Sequence, residues 1–161
     1  MVRRRMKPIL CAGLVCLDQV TVVTTFPVED TDQRSVAQYK VGQVRSLRIG
    51  VKVRLFQSRG GNANNSCTVL SHLGLGSTFL GTFARDLDGQ WLRQSLLEDG
   101  VEVGADCPEH SGYVCPNSVV LSNTTTGSRT IIHTNLGLPE LSLQHFKNIK
   151  LDDFRWEVPA C

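Results

Sequence analysis

The sequence predicts an α/β fold with a mainly parallel sheet, and three observations predict it. Ile9 to Leu17 is a continuous apolar run, the signature of a strand buried on both faces. Ala63, Cys67, Leu70 and Leu73 recur at helical spacing and Gly74 stops them, so Asn62 to Leu73 reads as a helix. Strand-like and helix-like stretches then alternate along the chain, the order expected of βαβ connections.

The elements follow in order. Arg3, Arg4, Arg5 and Lys7 before the first apolar run imitate a secretory leader. The run is short and ends at Asp18 without a small-residue cleavage site, so it reads as a buried first strand. Asp18 then falls at the C-terminal end of that strand, where open α/β sheets bind ligands. Val20 to Phe26, rich in Val and Thr, reads as a second strand, and Pro27 to Asp32 as an acidic turn. Arg34 to Tyr39 is a candidate partner strand. After the helix, Ser77 to Phe83 reads as a short strand. Asp88 is placed to cap a second helix through Trp91, Leu92, Leu96 and Leu97, closed by Gly100. Val101 starts another strand. Tyr113 to Leu121 and Arg129 to Thr134 are β-rich runs joined by Asn123 to Ser128, with Gly127 able to take positive φ. Leu141 to Phe146 starts a helix.

Composition narrows the function classes. The 161 residues are 41% hydrophobic and 20% charged, with a net charge of +2. That balance argues against nucleic acid or a membrane surface as partner, and the few aromatics offer no base-stacking platform. The six cysteines form no C-x-x-C pair, and Cys11, Cys16 and Cys67 sit in apolar runs. Thiols in a reducing cytoplasm fit that pattern. The four histidines lack zinc spacing, so no metal site is expected.

The richest chemistry lies in Arg59-Gly60-Gly61-Asn62-Ala63-Asn64-Asn65-Ser66. The glycines let the backbone approach a ligand closely. Asn62 and Asn65, three apart, share one face of a first helical turn. Each amide both donates and accepts, which suits a ligand made of hydroxyls. An ordinary turn with an Asn helix cap would use the same residues.

Taken together, the first strand through Asp18, the Arg59 to Leu70 motif with Leu73-Gly74 behind it, and several later residues resemble the ribokinase-type (pfkB) carbohydrate kinase family. The later residues are Gly81, Asp86, Gly89, Leu92, Leu96, Gly100 and Val101, then Thr126-Gly127-Ser128-Arg129-Thr130-Ile131 and Phe154-Arg155-Trp156. Within the family the pattern is closest to kinases that phosphorylate a ketose. The resemblance implies a ribokinase-like three-layer fold, here partial, with a mainly parallel sheet and a small β-sheet lid. It implies lid strands at about 20–40 and 113–134, and one partial kinase domain over 1–161. It implies that Asp18, Gly61, Asn62 and Asn65 bind the sugar and that Arg129 faces the phosphates of ATP, used with Mg. It further implies transfer of the ATP γ-phosphoryl to O1 of fructose or a related ketose, a homodimer formed through the lid, and a cytoplasmic setting. Ribose and adenosine kinases of the same superfamily remain alternatives, as does a non-catalytic isoform that pairs with a full-length kinase.

The chain also departs from the family. The family's catalytic base lies in a Gly-Ala-Gly-Asp motif that this sequence lacks, so no catalytic residue is assigned. Gly104-Ala105-Asp106 lacks the second glycine and falls too early. Residues 41–58 are an insert carrying Arg45, Arg48, Lys52 and Arg54, expected to be disruptive rather than an added strand. The tail after Trp156 diverges, reads as an alternative terminus, and carries Pro159, which would remove a ladder donor from a strand. The chain is thus expected to hold the sugar-binding half only and to be inactive alone.

Overall fold

The computed structural model describes residues 6–30 and 56–159. The candidate strand Arg34 to Tyr39 and most of the insert, with Arg45, Arg48, Lys52 and Arg54, lie outside the described residues. In chain order the strands are β1 (Ile9–Ala12), β2 (Cys16–Val23), β3 (Phe56–Gly60), β4 (Ser77–Leu80), β5 (Phe83–Ala84), β6 (Glu102–Val103), β7 (Glu109–His110), β8 (Asn117–Asn123), β9 (Arg129–Thr134) and β10 (Trp156–Pro159). The helices are α1 (Asn62–His72), α2 (Leu87–Glu98) and α3 (Leu143–Lys147). The chain divides into two compact units. One comprises Met1–Cys16, Arg59–Pro116 and Asn135–Cys161, and the other Leu17–Ser58 and Asn117–Thr134.

The first unit carries a sheet in the order β10-β1-β4-β6. Its paired strands all run parallel. All four residues of β4 are buried, and so are Ile9, Leu10 and Cys11 of β1, as a doubly covered strand requires. Helix α1 packs on β1 and β4, and α2 on β5 and β6. The core draws Leu10, Cys11, Phe79 and Leu80 from the strands, Ala63 and Cys67 from α1, and Leu92 and Leu96 from α2. Both helices end as the sequence predicts. The Leu75 N–H donates to the Leu70 carbonyl and the Gly74 N–H to that of Ser71, each at 2.9 Å. The Val101 and Gly100 N–H groups repeat this pattern on Leu96 and Leu97.

The second unit carries a sheet in the order β3-β2-β8-β9. Strands β2 and β8 run parallel, and β8 and β9 form an antiparallel hairpin. Asn123 closes that hairpin, its Oδ1 accepting from the N–H groups of Thr125 and Thr126. Strand β9 spans Arg129–Thr134, the predicted run, and every residue of it is exposed.

Several expectations need correction. The apolar run Ile9 to Leu17 is not one strand. Gly13 (φ +151°) breaks it, and its N–H donates to the Leu80 carbonyl. The chain leaves the first sheet there and enters the second at Cys16, so Asp18 lies inside β2 rather than at the end of a parallel core strand. Ser77 to Phe83 likewise divides into β4 and β5. Asp86, not Asp88, caps α2: its Oδ1 accepts from the Gly89 N–H at 2.7 Å, and its Oδ2 from the Cys115 N–H at 2.8 Å. Asp88 sits in the first turn, where its charge still suits the helix dipole. The run Tyr113 to Leu121 becomes a strand only at Asn117, after Pro116. On α1, Leu73 is exposed and Asn64 is buried in its place. Residues 56–58, assigned to the insert, begin β3. The divergent tail continues as β10, where Pro159 is the last residue of an edge strand, a place that tolerates a missing donor.

Candidate functional site

Gly61 fixes the geometry of the glycine–asparagine motif. It precedes α1 with φ +95°. A Cβ there would stand 2.2 Å from the carbonyl oxygen of Leu14 and 2.8 Å from its carbon. Glycine is therefore required twice, by backbone conformation and by the close approach of the β1–β2 loop. No side chain caps α1, and no acidic residue occupies its first turn. Asn62 and Asn65 are exposed on that turn, while Ala63 and Asn64 between them are buried. The structure thus gathers Gly61, Asn62 and Asn65 at one helix start, with both amides directed outward.

Arg59 anchors this segment from the preceding strand. Its guanidinium is largely buried, forms an ion pair with Asp99 at the end of α2, and donates through Nη2 to Thr68 Oγ1 at 3.1 Å. The Ser71 hydroxyl donates to the Asp99 carbonyl. Deeper in the same unit, Cys11 and Cys67 are fully buried. The hydrogen bond with Cys11 and burial both push the Cys67 thiol far up, and burial pushes the Cys107 thiol up as well. Both are protonated packing groups. Cys11, Cys16, Cys67, Cys107 and Cys115 are all buried thiols, and no disulfide joins them.

The other unit holds the remaining candidates. Asp18 is half-buried in β2 and pairs in register with Ser118 of β8. Ser118 pairs with His133 of β9, and the Ser118 hydroxyl and His133 Nδ1 are 3.1 Å apart. Asp18, Ser118 and His133 therefore form a polar row across one face of the sheet. Arg129 opens β9, is exposed, and pairs with Ser122. Ser122 lies four residues beyond Ser118, so Arg129 shares the face of Asp18 but lies roughly 13 Å further along the strands and about 10 Å across them. The sheet keeps these two charges apart rather than pairing them.

Sequence reasoning missed Asn64, Ser118 and His133, and gave Arg59 no role. Buried Asn64 shows only as a third amide in the motif, and the Ser118–His133 pairing needs the hairpin register. Among the described residues no three metal-binding side chains converge. No described helix is long and apolar enough to cross a membrane. Gly104-Ala105-Asp106 lies in a turn after β6, closed by the Cys107 N–H on the Gly104 carbonyl at 3.1 Å. That turn gives Asp106 no helix N-terminus to act with.

No family model matches the chain. The fold is that of ribokinase-type sugar kinases. A fructokinase from Xylella fastidiosa superposes with a TM-score of 0.64 at 19% identity, over 94% of this chain and 40% of that one. A putative ribokinase from Agrobacterium tumefaciens gives 0.61 at 18%, over 80% and 36%. In sequence the chain is similar to ketohexokinase. The Mus musculus enzyme is 37% identical over 150 residues, which is 93% of this chain and 44% of the mouse protein. The chain thus spans less than half the length of that relative. These homologues and structural neighbours are sugar kinases.

Proposed function

We propose that the chain provides the sugar-binding half of a ketohexokinase-type kinase, acting on fructose or a related ketose at O1. One observation carries this reading. Asn62 and Asn65 face outward from the uncapped start of α1, behind a glycine whose positive φ and close approach to the Leu14 carbonyl disfavour any side chain. Amides and first-turn N–H groups suit a polyhydroxy ligand. Asp18 contributes the carboxylate that accepts from sugar hydroxyls, a stronger bond than a neutral acceptor would make. Arg129, exposed at the start of β9, offers a guanidinium fork to phosphate oxygens.

The transferred phosphoryl would come from ATP, and the Xylella fastidiosa fructokinase has been solved with ATP bound. Of the ATP site, the described residues supply Arg129 alone, and Mg would enter with the nucleotide's phosphates. The proton of O1 needs an acceptor that these 161 residues do not provide, because the Gly-Ala-Gly-Asp motif is absent from them. By themselves they bind sugar without transferring phosphoryl. Calorimetry of the purified chain with fructose, ribose and adenosine tests the reading. Fructose should bind best, and Asp18→Asn and Asn65→Ala should each weaken its binding roughly tenfold or more. A preference for ribose or adenosine would assign the site to another branch, and formation of fructose 1-phosphate by pure chain would refute the missing base.

A second reading has its own support. Ile132 of β9 is 58% exposed and Val119, its partner in β8, 38% exposed on the same face of the sheet. An exposed apolar patch of this kind suits a second copy or a full-length kinase subunit. The expected lid would then dimerise, and the chain would act as a non-catalytic partner. Co-purification with full-length kinase tests this. The buried thiols suit the reducing cytoplasm.

A further inference from the structure

Asn64 is the feature that a sugar site alone leaves unexplained. It lies in the first turn of α1 between two exposed amides, yet it is 1% exposed. Its Nδ2 donates to Oδ1 of Asn65 at 3.2 Å, while its own Oδ1 is buried without a partner. An orphaned buried acceptor is costly, and asparagine is a poor helix former. Serine or alanine would fill the position without the orphan. The surroundings are polar as well. Thr68, four residues on and on the same helix face, receives Arg59 Nη2, and Arg59 Nη1 is a second buried orphan, of donor type. The motif therefore keeps a costly buried amide whose one side-chain bond among the described residues is to Asn65.

We propose that Asn64 is a positioning residue: it holds Oδ1 of Asn65 inward and leaves the Asn65 Nδ2 to meet the ligand. An amide can present either its donor or its acceptor. Asn64 removes that choice. Asn65 then recognises a sugar oxygen as an acceptor, and that hydroxyl must donate its own proton elsewhere. This rests on the sugar-site reading, but the orientation itself can be read without any sugar.

The first test uses the ligand-free chain. Side-chain amide resonances should show the Asn64 NH₂ protons exchanging with water far more slowly than those of Asn65. Equal exchange would overturn the proposal. The second test uses fructose analogues in which each hydroxyl is replaced in turn by fluorine, a weak acceptor, or by hydrogen, which cannot accept. At one position the wild-type chain should tolerate fluorine better than hydrogen. Asn64→Asp places a carboxylate against Asn65, turns its NH₂ inward and its carbonyl outward, and should weaken fructose binding about tenfold. It should also abolish the fluorine advantage at that position. Asn64→Ala, which frees the amide without repelling it, should erase the advantage with a smaller loss. An unchanged analogue pattern in both folded variants would defeat the proposal. Slow Asn64 exchange in a chain that binds no sugar would uphold the orientation and reject the sugar reading instead.

Discussion

Gly61 is the residue on which the candidate site turns. Its positive φ and the 2.2 Å approach of the Leu14 carbonyl leave no room for a Cβ. Gly61→Ala should cost about 2–4 kcal/mol through strain and forced backbone movement. It should lower the thermal midpoint and abolish sugar binding together. Asp18→Asn should behave oppositely. The side chain is half-buried, so the fold should melt within a few degrees of wild type. Exchanging a charge-assisted bond for a neutral one should still weaken fructose binding roughly tenfold or more. Calorimetry and a melting curve on both variants separate the structural glycine from the carboxylate proposed to bind. The motif around Gly61 is legible from sequence because glycine and amide chemistry is local. Asn64 is not, because burial of the third amide depends on the register of α1 against β1 and β4, and a helical apolar pattern would have buried Leu73 instead.

At the scale of elements, local signals were readable where the chain itself carries the stop. Gly74 and Gly100 close α1 and α2 with the expected paired bonds, and Arg129–Thr134 forms a strand over its whole predicted length. Signals failed where two neighbours compete. Asp86 and Asp88 both suit a helix start, and Asp86 prevails because its second oxygen also holds the distant Cys115 N–H. The first apolar run gave no internal cue except Gly13, whose role as a break depends on the Leu80 carbonyl across the sheet. The double duty of Asp86 has a measurable cost. Asp86→Ala removes the α2 cap and leaves the Cys115 N–H without its carboxylate, so it should destabilise the chain by about 1–2 kcal/mol. Asp88→Ala, which loses only a favourable charge near the dipole, should cost a few tenths to about 1 kcal/mol. Urea unfolding of the two variants checks the order, and equal losses would show that the cap is shared.

At the scale of the whole molecule, the two units contribute different properties. The first holds Cys107 with its proton retained by burial. Unfolded thiols ionise near pH ~8.5. Above that pH the unfolded state binds fewer protons than the folded one, so stability falls as pH rises and is complete below it. Urea midpoints should fall between pH 8 and 10 and change less in Cys107→Ala. The second unit carries the exposed apolar face proposed above for association. Ile132 and Val119 lie on the face of its sheet opposite Asp18, because Ile132 pairs with Val119 and Asp18 with Ser118, the neighbouring residue of β8. A charge at Ile132 therefore disturbs the outer face without touching the row of Asp18, Ser118 and His133. Ile132→Lys should shift the chain toward monomer in sedimentation velocity and leave fructose affinity within about twofold, since an exposed substitution away from a site changes it little. If Ile132→Lys sediments as wild type does, this face is not the interface. If the variant turns monomeric and loses fructose as well, association and sugar binding are coupled, and the expected lid works only as a pair.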